Sequence, residues 1–157
     1  MTAGVDTNLS FATGDINFGK SPTVAGSAYT NSRVGVSGTM LFNLDSSLDS
    51  LLLQNSPTVI GGMPSPNNGI NTTVGAFGLN TNDLVGFDIL TTGTIASPIN
   101  TGYAAFKESG KTRDRENRCG NSSLFTINLA TGEATFEGSI GTKQPIRGLA
   151  AALVPVS

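Results

Sequence analysis

The sequence contains no histidine, no tryptophan and a single cysteine, and only 13% of its 157 residues are charged. The absence of histidine excludes a Ser-His-Asp or Cys-His nucleophile, and it excludes zinc or haem bound through imidazole. One cysteine, Cys119, permits neither an intrachain disulfide nor a cysteine metal cluster. The net charge is −2, whereas a nucleic-acid-binding protein typically carries an excess of basic residues. No apolar run approaches the roughly 18–20 residues of a transmembrane helix, so we expect no nucleic-acid partner, no membrane span and no cofactor.

Small and hydroxyl-bearing residues take the place of the missing charges. Glycine, threonine, serine and asparagine together account for 69 residues, and glycine, serine and asparagine are typical of turns. Residues 1–4 are not followed by the basic region and apolar stretch of a signal peptide. From the composition we expect a secreted or cell-surface protein whose leader is absent from this chain, and a cytosolic protein is the alternative.

Short repeated segments are spaced regularly along the chain. Residues 24–28, 84–88 and 146–150 share the pattern apolar, any, Gly, any, small or Asp, and their glycines are 60 and then 62 residues apart. Two further pairs of segments resemble each other, residues 41–45 with 124–128 and residues 12–15 with 130–133. This recurring order predicts structural repeats of about 60 residues.

Nearly every patterned segment favours a β-strand. The predicted strands are residues 39–45, 50–54, 84–90, 101–106, 124–129 and 134–138, with a long Pro-, Gly- and Asn-rich loop over 56–71. Repeats with about four strands each are typical of β-propeller blades. We therefore predict an all-β chain of antiparallel, propeller-like repeats, and a β-sandwich is the alternative architecture.

The repeat boundaries predict one all-β domain over residues 1–157 with a split organisation. It contains a partial unit over 8–23, read as a hairpin formed by the last strands of a unit, complete units over 24–83 and 84–145, and a terminal first strand over 146–157. Two units and two halves are too few to close a propeller ring, which typically needs four to eight blades. The prediction is that apolar faces and sheet edges stay open.

The motifs at residues 25–31, 84–89, 124–132 and 147–150 resemble the bacterial domain-of-unknown-function family 4394. The resemblance covers roughly residues 8–152 and corresponds to the C-terminal part of longer members. It implies a secreted protein with propeller-like repeats, and it carries no catalytic residues over to this sequence.

The split organisation suggests a structural role without enzymatic activity. We expect the chain to assemble with itself by terminal β-strand complementation, giving a filament, sheath or ring. The residues predicted to form the assembly contact are Ile146, Leu149, Leu153 and Val154 with Phe11, Ile16 and Phe18. The alternative is an extracellular module of propeller type that binds a glycan or surface polymer between its blades.

Two further groups of residues are candidate sites. Arg113, Arg115, Arg118 and Cys119 lie in the most charged segment and form a candidate interaction loop, or else a solvated loop with an incidental thiol. The spacing of Asn43, Asp45 and Asp49 makes them weak candidates for calcium ligands, and the alternative is that they are ordinary turn formers. A carboxylate pair for glycoside hydrolysis, Asp88 with Asp45 or Glu137, is the remaining enzymatic reading, and we expect no enzyme.

Overall fold

The protein is described by a computed structural model over residues 7–36, 38–54, 66–107, 122–141 and 145–153. The predicted all-β class is confirmed, since the described residues form nine strands and one short 3-10 helix at Pro66–Asn68. The strands are β1 (Ser10–Phe11), β2 (Val24–Tyr29), β3 (Leu41–Asp45), β4 (Ser50–Gln54), β5 (Ile70–Ala76), β6 (Val85–Gly93), β7 (Pro98–Lys107), β8 (Ser122–Ile127) and β9 (Ala134–Ser139).

The strands form two sheets, and neither sheet closes on itself. The first sheet has the order β1-β5-β4-β3-β2, in which β2 to β5 run antiparallel and β1 pairs with β5 in parallel. The second sheet is the antiparallel series β6-β7-β8-β9. Each sheet thus contains a four-strand antiparallel meander, one within residues 24–83 and the other within residues 84–145, and β1 adds a fifth strand to the first sheet.

The core lies between the two sheets. Phe77, at the end of the first sheet, packs against Phe106 with ring centroids 5.2 Å apart, and Phe106 packs against Phe125 at 5.4 Å. The aliphatic residues buried around these rings are Leu44, Leu51, Val85, Ile89 and Ile127. Burial of apolar surface is the main favourable term in folding, so contact between the sheets stabilises both of them.

The two clearest predicted hairpins, β3–β4 and β8–β9, are present. Asp45 closes the first turn, where its carboxylate accepts N–H bonds from Ser47 and Leu48 at 2.9 and 3.0 Å. In the second turn Gly132 has a φ of 82°, a conformation that side chains other than glycine rarely adopt. Strand β5 was not predicted, because it begins inside the segment read as a loop.

The prediction of an N-terminal hairpin within residues 8–23 is wrong. Only Ser10–Phe11 is a strand, and it pairs in parallel with β5. Turns follow it because the Asp15 carboxylate holds them against β5, accepting bonds from the N–H and hydroxyl of Thr73 at 2.6 and 2.8 Å.

The predicted terminal strand, residues 146–157, also needs correction. Its described part, within the segment 145–153, forms no strand ladder. It lies instead across the second sheet of its own chain, as detailed below.

Candidate functional site

Each sheet carries a row of four directly paired residues that begins and ends in glycine. Directly paired residues on neighbouring strands project from the same side of a sheet. The row of the first sheet is Gly26, Leu44, Leu51 and Gly75, and the row of the second sheet is Gly86, Ala105, Leu124 and Gly138. The two sheets therefore repeat each other in register as well as in strand order.

A β-bulge stands beside the last glycine of both rows. The pairing of β4 with β5 skips Val74, and the pairing of β8 with β9 skips Glu137. The residue after each bulge is the terminal glycine, Gly75 or Gly138. Because a bulge bends its strand and increases the local twist, these two glycines occupy equivalent bent positions.

The row of the first sheet is covered at both ends by the second sheet. A Cβ on Gly26 would lie 3.1 Å from the Cβ of Phe87, and a Cβ on Gly75 would lie 2.1 Å from the carbonyl oxygen of Thr131. Thr131 lies in the β8–β9 turn, and just after this turn the N–H of Ala134 donates to the carbonyl oxygen of Phe77 at 3.1 Å. Glycine is required at Gly75 because the β8–β9 turn rests directly on the backbone there.

In the described chain the row of the second sheet is covered only at its Gly86 end, where the segment 145–153 lies on it. A Cβ on Gly86 would lie 2.8 Å from the carbonyl carbon of Gly148. The segment is fixed by two side-chain acceptors, since the N–H of Ile146 donates to the hydroxyl of Ser122 at 2.9 Å and the N–H of Ala151 donates to the Asp88 carboxylate at 2.7 Å. The segment therefore lies across β6 as β6 itself lies across β2.

Among the described residues nothing covers the far end of this second row. Apart from its chain neighbours, no heavy atom of these residues lies within 4 Å of a Cβ built on Gly138, and the same holds for Gly148. We call the row of Gly86, Ala105, Leu124 and Gly138, together with the segment 145–153, the outer face. In the described chain, Gly86 is covered as Gly26 is in the first sheet. Gly138, however, lacks the covering contact that Gly75 has in the first sheet.

The predicted assembly residues are divided by the structure. Phe11 is buried within its own chain, which corrects its placement in a contact between chains. Ile16 and Phe18 are 86% and 61% exposed on the N-terminal turns. On the outer face, Ile146 and Leu149 are half-buried and Leu153 is 64% exposed. Val154 lies outside the described residues.

The N-terminal turns are held by a carboxylate with a lowered pKa. Burial raises the pKa of Asp15, but hydrogen bonds outweigh it, and the pKa lies below its ordinary value. The donors are the N–H groups of Thr73 and Asn17 and the Thr73 hydroxyl. The exposed apolar side chains of these turns are thus presented on a fixed support.

A polar cleft of about 300 Å³ lies beside the outer face, where the two sheets meet. Its lining includes Arg33, Asp88, Thr91 and Leu153. The guanidinium of Arg33 donates to the carbonyl oxygens of Gly93, at 2.9 Å, and Thr94. The Nε of Arg33 is buried and has no hydrogen-bond partner among the described residues.

Two asparagines tie the sheets together next to this cleft. The Asn31 N–H donates to the Asn100 side-chain oxygen at 2.9 Å, and the Asn100 amide donates back to the Asn31 side-chain oxygen at 2.9 Å. The hydroxyl of Thr91 donates to the same Asn100 oxygen at 2.7 Å. Asn31 lies in the turn after β2 of the first sheet and Asn100 lies in β7 of the second, so these bonds connect the two sheets.

The weak calcium candidates all have partners within the chain. Asn43 donates to the side-chain oxygens of Gln54 and Asn71 at 2.7 and 3.0 Å. Asp45 accepts the bonds of its turn, and one oxygen of Asp49 accepts the N–H and hydroxyl of Thr81, both at 2.7 Å. Among the described residues no group of three or more acidic or cysteine side chains is placed to hold a metal ion. Asp45 is thus a turn former, whereas Asn43 joins β3 to β4 and β5 and Asp49 holds Thr81.

The other candidate residues are not brought together. Asp88 holds the N–H groups of Ile89 and Ala151, whereas Glu137 accepts the hydroxyl of Thr126 on a different strand. The interaction loop of Arg113, Arg115, Arg118 and Cys119 lies outside the described residues.

The features above define an all-β protein built from two repeated four-strand meanders, and in the described chain the outer face of the second is partly uncovered. The chain belongs to the family described as Domain of unknown function (DUF4394), which matches residues 1–150. The predicted family resemblance is thereby confirmed. No curated protein and no solved structure matches the chain. None of the helices in the described ranges has the length and apolar character needed to cross a membrane.

Proposed function

We propose that this chain is a non-enzymatic, extracellular structural protein whose copies join head to tail through the outer face. The observation that carries the proposal is the partial covering of the second glycine row, closed at Gly86 and open at Gly138. The second sheet already covers the first at Gly75. A second copy packed on the outer face would cover the second sheet at Gly138 in the same way.

The segment 145–153 is suited to receive a strand from a neighbouring copy. Among the described residues its N–H and C=O groups make no bond to another backbone group. Apart from the N–H groups of Ile146 and Ala151, which donate to side chains, these groups of the described chain form a template for β-augmentation. The proposal retains strand complementation between copies. The terminal segment is not donated to a neighbour, however, because it lies on its own chain and receives the neighbour's strand there.

The other side of the contact is supplied by the N-terminal turns. Ile16 and Phe18 are the large apolar side chains that these turns leave exposed. A contact between two different surfaces of identical chains generates a ring if the rotation closes and a filament if it does not. The extracellular setting is supported by composition, since charged residues are only 13% of the chain.

The test is a charge placed on the outer face, Leu153→Asp, with Val34→Asp as the matched control. Both side chains are exposed, at 64% and 95%, so neither change disturbs the core. We expect Leu153→Asp to abolish assembly, measured by light scattering, and Val34→Asp to leave it intact. Equal assembly of both variants would refute this use of the outer face.

The alternative function, an extracellular glycan- or polymer-binding module, is favoured by the cleft that contains Arg33 and Asp88. Hydrogen-bonding side chains in a partly enclosed cleft suit a sugar hydroxyl array. A glycan array screened with wild-type protein and with Ser32→Ala tests it, because Ser32 is exposed and its hydroxyl lies in the lining of the cleft. Binding by a small closed ring, with no filament, would favour this alternative.

A further inference from the structure

We propose, on the basis of the head-to-tail association above, that the Ala12–Asp15 turn of one copy rests on Gly138 of a second copy. This contact would reproduce between chains what the Thr131–Gly132 turn does on Gly75 within a chain. The contact joins two backbone sites, the Ala12–Asp15 turn and Gly138, and the partner that supplies one of them is a second copy of this chain.

The first support is that the two turns have the same sequence pattern. Residues 9–18 read LSFATGDINF and residues 127–136 read INLATGEATF, with identical Ala-Thr-Gly, an acidic residue next, and a phenylalanine at the end. Their glycines share a left-handed conformation, with φ of 88° at Gly14 and 82° at Gly132. The hydrogen bonds that close the two turns differ, since the Asp15 N–H donates to the Ala12 carbonyl oxygen and the Gly132 N–H donates to that of Asn128. The likeness is therefore confined to the Thr-Gly pair and the left-handed glycine.

The second support is the way the internal turn fits its seat. A Cβ on Gly132 would lie 2.3 Å from the carbonyl oxygen of Gly75, and a Cβ on Gly75 would lie 2.1 Å from that of Thr131. The contact is therefore backbone against backbone, with a glycine on each side. It needs no particular side chain, only a Thr-Gly turn and a glycine at the bulged end of a row.

The third support is that a second turn and a second seat are both open. Gly138 matches Gly75 in register and in its bulge. No heavy atom of the described residues lies within 4 Å of a Cβ on Gly138 or on Gly14. Thr13 and Gly14 are exposed, and Asp15 fixes their turn to the first sheet through Thr73. The open turn and the open seat thus lie on different sheets, which suits a contact that runs from one copy to the next.

The decisive variant is Gly138→Val, with Gly141→Val as the matched control. Neither glycine has a left-handed φ, and neither Cβ would meet a described atom within 4 Å. Valine suits the strand position of Gly138, and Gly141 lies exposed beyond the end of β9, so both variants should fold as the wild type does. We expect Gly138→Val to weaken association by at least about tenfold in the dissociation constant, and Gly141→Val to leave it unchanged.

A second measurement on the wild-type chain keeps the inference testable if Gly138→Val fails to fold. Hydrogen exchange is measured by mass spectrometry above and below the concentration at which the chain assembles. We expect residues 12–15 and 136–139 to gain protection together on assembly. If both segments exchange equally in the two states, the turn-to-seat contact is wrong.

The outcomes separate this inference from the function on which it rests. If the wild type assembles and Gly138→Val assembles equally well, the turn-to-seat contact is refuted while the structural role stands. If the wild type remains a monomer at every concentration, the head-to-tail function and this contact are both refuted.

Discussion

Substituting alanine at Gly75 and at Gly138, in separate variants, should change stability in opposite directions. The two glycines hold the same register position in their sheets, so strand propensity affects both alike. Alanine relieves the entropic cost of glycine in a strand, which is worth about 0.5–1 kcal/mol. At Gly138 nothing offsets this gain, because the described chain leaves the site open.

At Gly75 the new methyl group would lie 2.1 Å from the carbonyl oxygen of Thr131 and 3.1 Å from its carbon. The β8–β9 turn must then move away, and overpacking of this kind costs about 1–3 kcal/mol. The movement also strains the bond from the Ala134 N–H to Phe77, worth about 0.5–1.5 kcal/mol. After subtracting the entropic gain, we expect Gly75→Ala to lower the free energy of unfolding by about 2 kcal/mol.

Thermal and urea denaturation of the two variants, at a concentration below assembly, measure this difference. For a chain of this size about 2 kcal/mol corresponds to a fall in Tm of about 4–8 °C for Gly75→Ala, whereas Gly138→Ala should raise Tm by about 1–3 °C. Equal shifts in the two variants would show that the β8–β9 turn does not rest on Gly75, and the equivalence of the two rows would lose its physical meaning.

Two other predictions concern single polar contacts. Asp15→Ala should destabilise the chain by about 1–3 kcal/mol. Because the folded pKa of Asp15 lies below its ordinary value, its contribution is present above the unfolded pKa, near 3.8, and is lost as the pH falls through the folded pKa. The wild type and Asp15→Ala should therefore differ in stability at pH 7 and converge in acid denaturation curves. Asn100→Ala should cost about 1–3 kcal/mol by leaving Asn31 and Thr91 without their shared partner, which chemical denaturation measures, and an unchanged midpoint would contradict the bridge between the sheets.

Local features of the fold could be predicted from the sequence because short-range chemistry determines them. The β8–β9 hairpin follows from alternating strand residues and from Gly132 in the turn. The β3–β4 turn follows from Asp45, whose carboxylate bonds to its own neighbouring backbone. The repeated glycines at 26 and 86 pointed to two equivalent strands, since Gly26 lies under β6 and Gly86 lies under the segment 145–153, whereas the segment around Gly148 forms no strand ladder.

Non-local pairing could not be predicted in the same way. Strand β1 joins β5 in parallel across about 60 residues of sequence, and nothing in residues 9–12 specifies that partner. The sequence motifs also equated residues 41–45 with 124–128, but β3 is the second strand of its meander and β8 is the third. Register alone identifies Gly75 with Gly138, and register is set by tertiary packing and bulges.

The candidate site was only partly visible in the sequence for the same reason. Leu149 and Leu153 were expected at an assembly contact, and the structure does place them on the outer face. Phe11 was expected there too, yet its ring is buried beside its own sheet. Apolar character alone does not distinguish a core residue from an interface residue.

The most direct test of the head-to-tail account is the mass of the wild-type chain in solution, measured by multi-angle light scattering over a range of concentrations, with negative-stain imaging of the same samples. The account predicts a mass that grows with concentration in multiples of the 16.0 kDa chain, together with open polymers or rings. A constant mass of one chain at all concentrations would contradict it.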